Sequence, residues 1–255
     1  FFKDHTRLDL AYYSTTVSNQ IVTVRVSPAS GMILQTRNEG ALKNYGVEAQ
    51  LSQDIIMSKD FKWTAGANFS LNRGKVVSLP EGMTEIQGTQ YGDIFPTAYL
   101  NGSSTAISGK DYKRSPDGKV LCTADGYPII DSAKGILIGD REPDFLLGLN
   151  SSFQWKDFSV SFLLDTRKGG DVVNVTGRSL FSNGQHKSYE KYRNREIIVD
   201  GVVQQADGTY IPNTKPIIFN QTNMNTYYNA VSSNFIEDGS YIRLSYVTLG
   251  YDFSR

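Results

Sequence analysis

The chain has 255 residues with 26 Lys+Arg against 26 Asp+Glu, a formal net charge of zero, 12% aromatic residues, one Cys and two His. Balanced charge leaves no electrostatic footprint for nucleic acid, and one Cys with two His supplies neither an intrachain disulfide nor an ordinary structural zinc site. A mean hydropathy of −0.34, with no apolar run near about 18 residues, excludes transmembrane helices but not transmembrane strands, which need only about 9–11 residues with one apolar face.

In chain order, Phe1-Phe2-Lys3-Asp4 carries no initiator Met, charged n-region or apolar h-region, so the sequence is expected to be either a processed precursor or a piece of something longer. Leu8, Leu10 and Tyr12 alternate with Arg7 and Asp9, a first strand. Val47, Ala49, Leu51, Ile55 and Met57 alternate with Glu48, Gln50, Ser52 and Asp54, interrupted at Gln53 and Ile56. After the polar turn Ser58-Lys59-Asp60, residues 61–72 alternate without a break: Phe61, Trp63, Ala65, Ala67, Phe69 and Leu71 against Lys62, Thr64, Gly66, Asn68, Ser70 and Asn72. A period of two places each set on one face of a strand. The pattern returns with Phe145, Leu147, Leu149, Phe153 and Trp155, turns at Lys156-Asp157, and continues with Phe158, Val160, Phe162 and Leu164. It ends with Ile242, Leu244 and Tyr246, then Val247, Leu249, Tyr251 and Phe253; the change of phase between 246 and 247 predicts a β-bulge.

The connections fall into two classes. Two turns, 58–60 and 156–157, are very short, whereas residues 15–43, 74–142 and 169–238 form connections far beyond the usual few residues. Following the chain up and down, every long connection lies at one end of the sheet. The predicted fold is therefore all-β, a transmembrane antiparallel barrel segment of about six strands with short turns on one side and long loops on the other. Six strands are fewer than the roughly eight a membrane barrel needs to close, so the sheet is expected to be an arc of a larger barrel. Phe61, Trp63, Phe153, Trp155, Phe158, Tyr251 and Phe253 flank the turns as an interfacial girdle would. The competing class is a secreted carbohydrate-binding β-sandwich packed by the same aromatics, and a third is a loop-borne hydrolase.

Candidate sites are few. Pro116-Asp117-Gly118, Asp125-Gly126, Asp200-Gly201 and Asp207-Gly208 read as turns rather than metal loops, since their spacing fits no EF-hand. No Ser or Cys lies in a nucleophile context, and no metal or cofactor is expected. His186, Lys187, Glu190, Lys191 and Arg193 suggest a short surface helix. Gly169-Gly170-Asp171 reads either as a sharp exit from the strand alone or as a turn that places Asp171 and Asn174 near a ligand path. The third loop offers Tyr189, Tyr192, Tyr210, Tyr227 and Tyr228 among many amides, the combination that sugar or peptide recognition uses, and one that serves equally for packing of the loop on itself or on a protein partner.

Five stretches together resemble the SusC/RagA family of TonB-dependent outer-membrane transporters of Bacteroidetes: Ser27-Pro-Ala-Ser-Gly31; Arg37-Asn-Glu-Gly-Ala-Leu-Lys-Asn-Tyr-Gly-Val-Glu48; Gly139-Asp-Arg-Glu-Pro-Asp-Phe145; Gly169-Gly-Asp-Val-Val-Asn174; and Phe235-Ile-Glu-Asp-Gly-Ser-Tyr-Ile-Arg-Leu244, running into Leu249-Gly-Tyr251. The resemblance implies a 22-stranded barrel filled by a plug. It implies import of oligosaccharides or oligopeptides energised by the TonB complex, with a SusD-like surface lipoprotein as lid. This chain is similar to a late part of such a barrel, with plug, TonB box and last strands lying outside it. On that resemblance Glu48, Gln50, Ser52, Asn68, Ser70, Asn150 and Ser152 should face the lumen. Phe61, Trp63, Phe69, Leu71, Leu147, Leu149, Phe158 and Phe162 should face the lipid bilayer.

Overall fold

A computed structural model describes residues 5–253; the end residues on which the reading of the termini rests, 1–4 and 254–255, lie outside them. Six strands form one antiparallel sheet in chain order: β1 (Thr6–Val17), β2 (Ala41–Met57), β3 (Phe61–Ser78), β4 (Pro143–Trp155), β5 (Phe158–Gly169) and β6 (Tyr241–Tyr251). The six strands expected from alternation are all present. Among the described residues no helix is long and apolar enough to cross a membrane, which says nothing of crossing by strands.

The pairing registers carry the alternation of each strand across the whole sheet. One row runs Leu8, Leu51, Ala67, Leu149, Leu164 and Leu244, one residue from each strand. The next row, on the opposite face, runs Asp9, Gln50, Asn68, Gly148, Asp165 and Arg243. A one-residue slip anywhere would exchange the two faces, so the common register of apolar residues is what fixes the pairing. The apolar face lies bare: Leu10 is 69% exposed, Ile242 79% and Leu249 75%. A β-sandwich would cover such a face with a second sheet, and none of the other described sheets is packed there as a partner layer.

Two bulges preserve this segregation. Leu163 pairs with Tyr246 while Leu164 pairs with Leu244, leaving Ser245 as the extra residue. The bulge predicted between 246 and 247 thus sits one residue earlier, and it returns Val247, Leu249 and Tyr251 to the face of Ile242 and Leu244. The second bulge leaves no change of phase in the alternation. Asp54 pairs with Thr64 and Ile56 with Trp63, so Ile55 is extra. This corrects the alternation of β2: Ile56 joins the apolar face beside Trp63, and Met57, opposite Lys62, leaves it.

The turn end of the apolar face carries the expected aromatics in mutual contact. Trp63 stacks on Phe153 at 5.5 Å, and Phe158 meets Tyr251 at 4.7 Å. The polar Ser151 in this face is satisfied, since its Oγ accepts a 2.9 Å hydrogen bond from the Trp63 indole N–H. Ser58 closes the first turn through its Oγ and the backbone of Phe61, and the Lys156 N–H donates to Asp60 O at 2.8 Å, tying the two turns together.

The first two long connections are shorter than alternation suggested, 18–40 and 79–142, because β1, β2 and β3 run further, while the third occupies 170–240. They are also structured. The first is a hairpin of Ile21–Arg25 with Leu34–Asn38. The second contains a four-stranded sheet ordered Ile130–Asp140, Ala106–Tyr112, Phe95–Tyr99, Glu85–Gln87. The third carries helices α1 (Val175–Ser182) and α2 (Ser188–Tyr192) and three short ribbons. The second and third are joined by a parallel pairing of Val120–Cys122 with Gly201–Gln204. Here Asp200-Gly201 departs from the expected turn: Gly201 starts a strand. A Cβ at Gly201 would stand 2.5 Å from Val120 O, so only glycine lets the two backbones approach. The core of the third loop is Phe181, Tyr189, Ile217, Phe219, Met224 and Phe235.

Candidate functional site: the polar wall and its collar

The polar face is a ladder of short hydrogen-bonding side chains. Glu48, Gln50, Ser52, Asn68, Ser70, Asn150 and Ser152 all occur on this one face, as the registers require. Gly148, in the row between Asn68 and Asp165, leaves the wall hollow, and a depression of about 640 Å³ opens there among Asp9, Glu48, Gln50, Asn68, Asp165 and Arg243. Arg243 lies 3.2 Å from Asp165, and the bulged Ser245 also donates to that carboxylate. The bulge therefore has a local purpose: it turns a hydroxyl onto Asp165 across the strand pair.

Above the wall, at the loop end, three of the five sequence stretches meet in a collar. After β5 the chain turns sharply through Gly169 (φ 72°) and Gly170 (φ 76°), a left-handed pair that strongly favours glycine. Asp171–Val173 then pairs with Ile236–Asp238, so the third loop leaves and re-enters through a two-stranded neck. Gly239 N–H donates to Gly170 O at 2.8 Å and Gly169 N–H to Ser240 Oγ at 2.8 Å, while Asp238 accepts from the Ser240 N–H. From the other side the Asp140 N–H donates to Asp171 Oδ2 at 2.7 Å. Glu142 accepts from the Gly74 N–H at 2.9 Å, pinning the end of the second loop to β3. Arg167 closes the ring by donating to the Gly169 and Arg141 carbonyls. A cleft of about 480 Å³ lies within this collar, lined by Asn44, Asn72, Ser104, Arg141, Glu142 and Asp171 among others.

The sequence candidates separate once placed. Asp171 lines the cleft with one carboxylate oxygen engaged by Asp140. Asn174 is the N-cap of α1: its Oδ1 accepts from the Gly177 N–H at 2.6 Å and its Nδ2 donates to Glu237 at 2.6 Å. Tyr189 is only 5% exposed and belongs to the third loop's core, so its ring face is spent on packing and is withdrawn from the candidate set. Tyr228 stacks on Phe181 at 4.5 Å and meets Phe219 and Phe235 edge-on. Tyr192 packs edge-on against Phe219, and Tyr227 stacks on Tyr127 at 4.7 Å. The tyrosines thus form no common platform. Each joins a different part of the loop packing.

What sequence reasoning missed is the tie between the loops. Asp93 in the second loop lies 2.6 Å from Arg178 on α1, with Lys110 at 3.7 Å. Burial raises the Asp93 pKa, but the hydrogen bonds and charge of Arg178, with Ser232, outweigh it and hold the carboxyl below its ordinary value. Nearby, Tyr112 donates to Tyr227 O at 2.8 Å and accepts from Asn234, and burial pushes its phenol up to about 12. No sequence signal marks Asp93 or Arg178, since 85 residues separate them and neither lies in a motif.

The family model described as TonB dependent receptor-like, beta-barrel matches residues 1–119. The TonB-dependent receptor P3 of Formosa agariphila is 25% identical over 98% of this chain and 26% of its own length. The TonB-dependent receptor SusC of Bacteroides thetaiotaomicron is 24% identical over 86% of this chain and 21% of its own. Among solved structures, the RagAB peptide importer in its open-open state superposes with a TM-score of 0.65 at 18% identity, covering 98% of this chain and 26% of that one. The closed-closed state gives 0.60. The chain therefore spans about a quarter of the length of the relatives it matches. The chain is thus similar in sequence to TonB-dependent receptors, SusC among them, and its fold, a two-faced meander with every long loop at one end, superposes on part of the RagAB importer.

Proposed function

We propose that this chain is an arc of the wall, with its surface loops, of an outer-membrane importer of oligosaccharides or oligopeptides. The single observation that carries the reading is the two-faced sheet. Ten residue steps separate Phe61 from Leu71 on the apolar face of β3. At about 3.4 Å per residue and a tilt of about 40°, they span roughly 26 Å, close to the apolar band of about 25 Å on outer-membrane barrels. The apolar face lies against lipid. Glu48, Gln50, Ser52, Asn68, Ser70, Asn150 and Ser152 face the lumen. The hollow wall and the collar cleft line the path of the solute, with Asp171, Tyr192 and Tyr227 at or near its mouth.

The loops face a SusD-like lipoprotein, and energy arrives from the TonB complex through parts of the parent protein beyond this segment. The kinship to SusC and the RagAB importer supports both partners. A single uncovered sheet speaks against the secreted sandwich. Spin labels at Leu147→Cys, Leu149→Cys and Val160→Cys of the bilayer-reconstituted barrel should be accessible to oxygen. Labels at Asn68→Cys, Asn150→Cys and Ser152→Cys should instead report a water-soluble relaxer. Equal water access at both sets would overturn the facing assignment. Uptake of labelled oligosaccharides and oligopeptides by cells carrying the parent barrel then decides the substrate class.

A further inference from the structure

Directly above the apolar band the same face turns basic. Arg73 is paired with Tyr45, and Lys75 is paired with Lys43, two and four residues past Leu71 in β3. Residues directly opposite on antiparallel strands hold their Cβ atoms about 4.5–5.5 Å apart, and like charges so placed repel. Lys43 and Lys75 nevertheless form such a pair, and neither is ion-paired among the described residues. Lys43 places its ammonium 5.9 Å from the centre of the Tyr45 ring, which steadies one cation without neutralising it. The Arg73 charge is partly answered by Asp144 at 3.9 Å, and Arg73 also donates to the Pro143 and Asp144 carbonyls. On β1 the neighbour of Lys43 in this row is Thr16, a hydroxyl donor. The cluster thus presents two close cations, an arginine and a hydroxyl, with an interfacial tyrosine beneath them. It requires an anion from outside the chain.

The position of the cluster selects that anion. Four residues beyond Leu71 is about 10 Å above the apolar band once the strand's tilt is allowed for, the depth of the headgroup layer. The face is the one assigned to lipid, so the inference rests on the membrane reading above. We propose that Lys43 and Lys75, supported by Arg73 and Thr16, bind the phosphate of an anionic lipid headgroup. The repulsion between the two ammonium groups is the energy the phosphate relieves. The lipid becomes part of the seam between β2 and β3.

The test uses the parent barrel in nanodiscs of phosphatidylcholine with and without phosphatidylglycerol, read by native mass spectrometry for retained lipid and by thermal unfolding. Phosphatidylglycerol should be retained by the wild type and raise its melting temperature. In the double variant K43Q/K75Q the affinity for that lipid should fall about thirtyfold, from about fivefold per lysine near an anionic surface. Its melting temperature in phosphatidylcholine should equal or exceed that of the wild type, because the repulsion has gone. Lys59→Gln, in the turn at the other end, should leave retention unchanged. Equal retention by the wild type and K43Q/K75Q would overturn the site. Stabilisation of the wild type by inorganic phosphate as large as that by the lipid would overturn the lipid as its source. A barrel that enters neither kind of nanodisc would overturn the membrane reading, and this site with it; a barrel that enters both without preference overturns the site alone.

Discussion

Leu149→Arg is the substitution on which the two faces of the sheet can be weighed against each other. Leu149 stands near the middle of the apolar face, paired with Ala67 on β3 and Leu164 on β5, and it is 43% exposed in the chain by itself. If that exposed portion meets hydrocarbon, an arginine there sits close to the bilayer midplane, where a charge on the lipid face of a barrel costs about 2–4 kcal/mol. Neighbouring Ala67 is small, but the side chain has some 10–13 Å to climb before it reaches headgroups, more than an arginine spans, so snorkelling only partly offsets the cost. The folded-to-unfolded ratio should drop about thirtyfold to nearly a thousandfold. Asn150→Arg, one residue away, moves the same charge to the other face, where the proposed surroundings are water and the row of Ser52, Gly66 and Leu163. That change should stay within about 0.5 kcal/mol, as surface substitutions usually do.

The assay is reversible folding of the two variants and the wild type into lipid vesicles, titrated with guanidinium chloride. The refuting result is parity: Leu149→Arg no more costly than Asn150→Arg. The converse order, with Asn150→Arg the more damaging, would exchange the two faces and with them every lumen assignment.

Gly201→Val should unseat the parallel pairing of the two large loops, since its Cβ would stand 2.5 Å from Val120 O and 2.9 Å from Cys122 Sγ. A cost of about 1–3 kcal/mol should appear as faster proteolysis within residues 113–130 and 195–213, with wall folding unchanged. Arg178→Leu should change the sign of the loops' pH dependence. In the wild type the folded Asp93 pKa is lowered, so its contribution is present above the ordinary carboxylate range and is lost as pH falls through the lowered value. Without Arg178, burial prevails, leaving Lys110 at 3.7 Å as the remaining counter-charge. Protection factors around 93 and 175–182, which remove the intrinsic pH dependence of exchange, should then rise as pH falls towards the ordinary carboxylate range, whereas in the wild type they fall only below that range; the same trend in both proteins would refute the assignment. Asn174→Ala removes the α1 cap and the bond to Glu237, so it should destabilise α1 by about 1–2 kcal/mol. Reduced solute uptake with α1 exchange unaltered would instead make Asn174 a contact to the solute.

The wall was legible because its information is local. Residues 61–72 alternate without fault, and the registers do no more than extend that alternation from strand to strand. The Ser245 bulge was legible for the same reason, because a change of phase is visible in one strand. The Ile55 bulge was not, since Ile55 and Ile56 are both apolar and either one satisfies the pattern; the choice is made by Trp63 on the neighbouring strand. The loops were illegible for a different reason. Their strands are three to eleven residues long, and their decisive contacts are distant in sequence: Val120 with Gly201, Asp93 with Arg178. Tyr189 shows what that costs a site prediction. A tyrosine among amides has the chemistry of a sugar platform, but Phe181, Phe219 and Met224 complete a core around it.

The collar explains why three of the stretches that carry the resemblance are short and scattered along the chain. A wall position demands only an apolar or a polar side chain, and many residues meet either demand. The collar demands particular ones. Gly169 and Gly170 must hold positive φ, and at Gly239 a Cβ would stand 2.4 Å from Gly170 O. Asp238 must turn Ser240 so that its hydroxyl receives the Gly169 N–H, and Asp171 must receive the Asp140 N–H. Glu142 must reach the Gly74 N–H across the strand gap. These requirements arise because a long loop leaves and re-enters a sheet at adjacent strands, where backbone groups at the ends of the ladder need partners that the ladder no longer provides. Meeting them fixes the neck, and the neck sets where the whole third loop stands above the wall. The three stretches that meet in the collar are therefore those that aim the third loop.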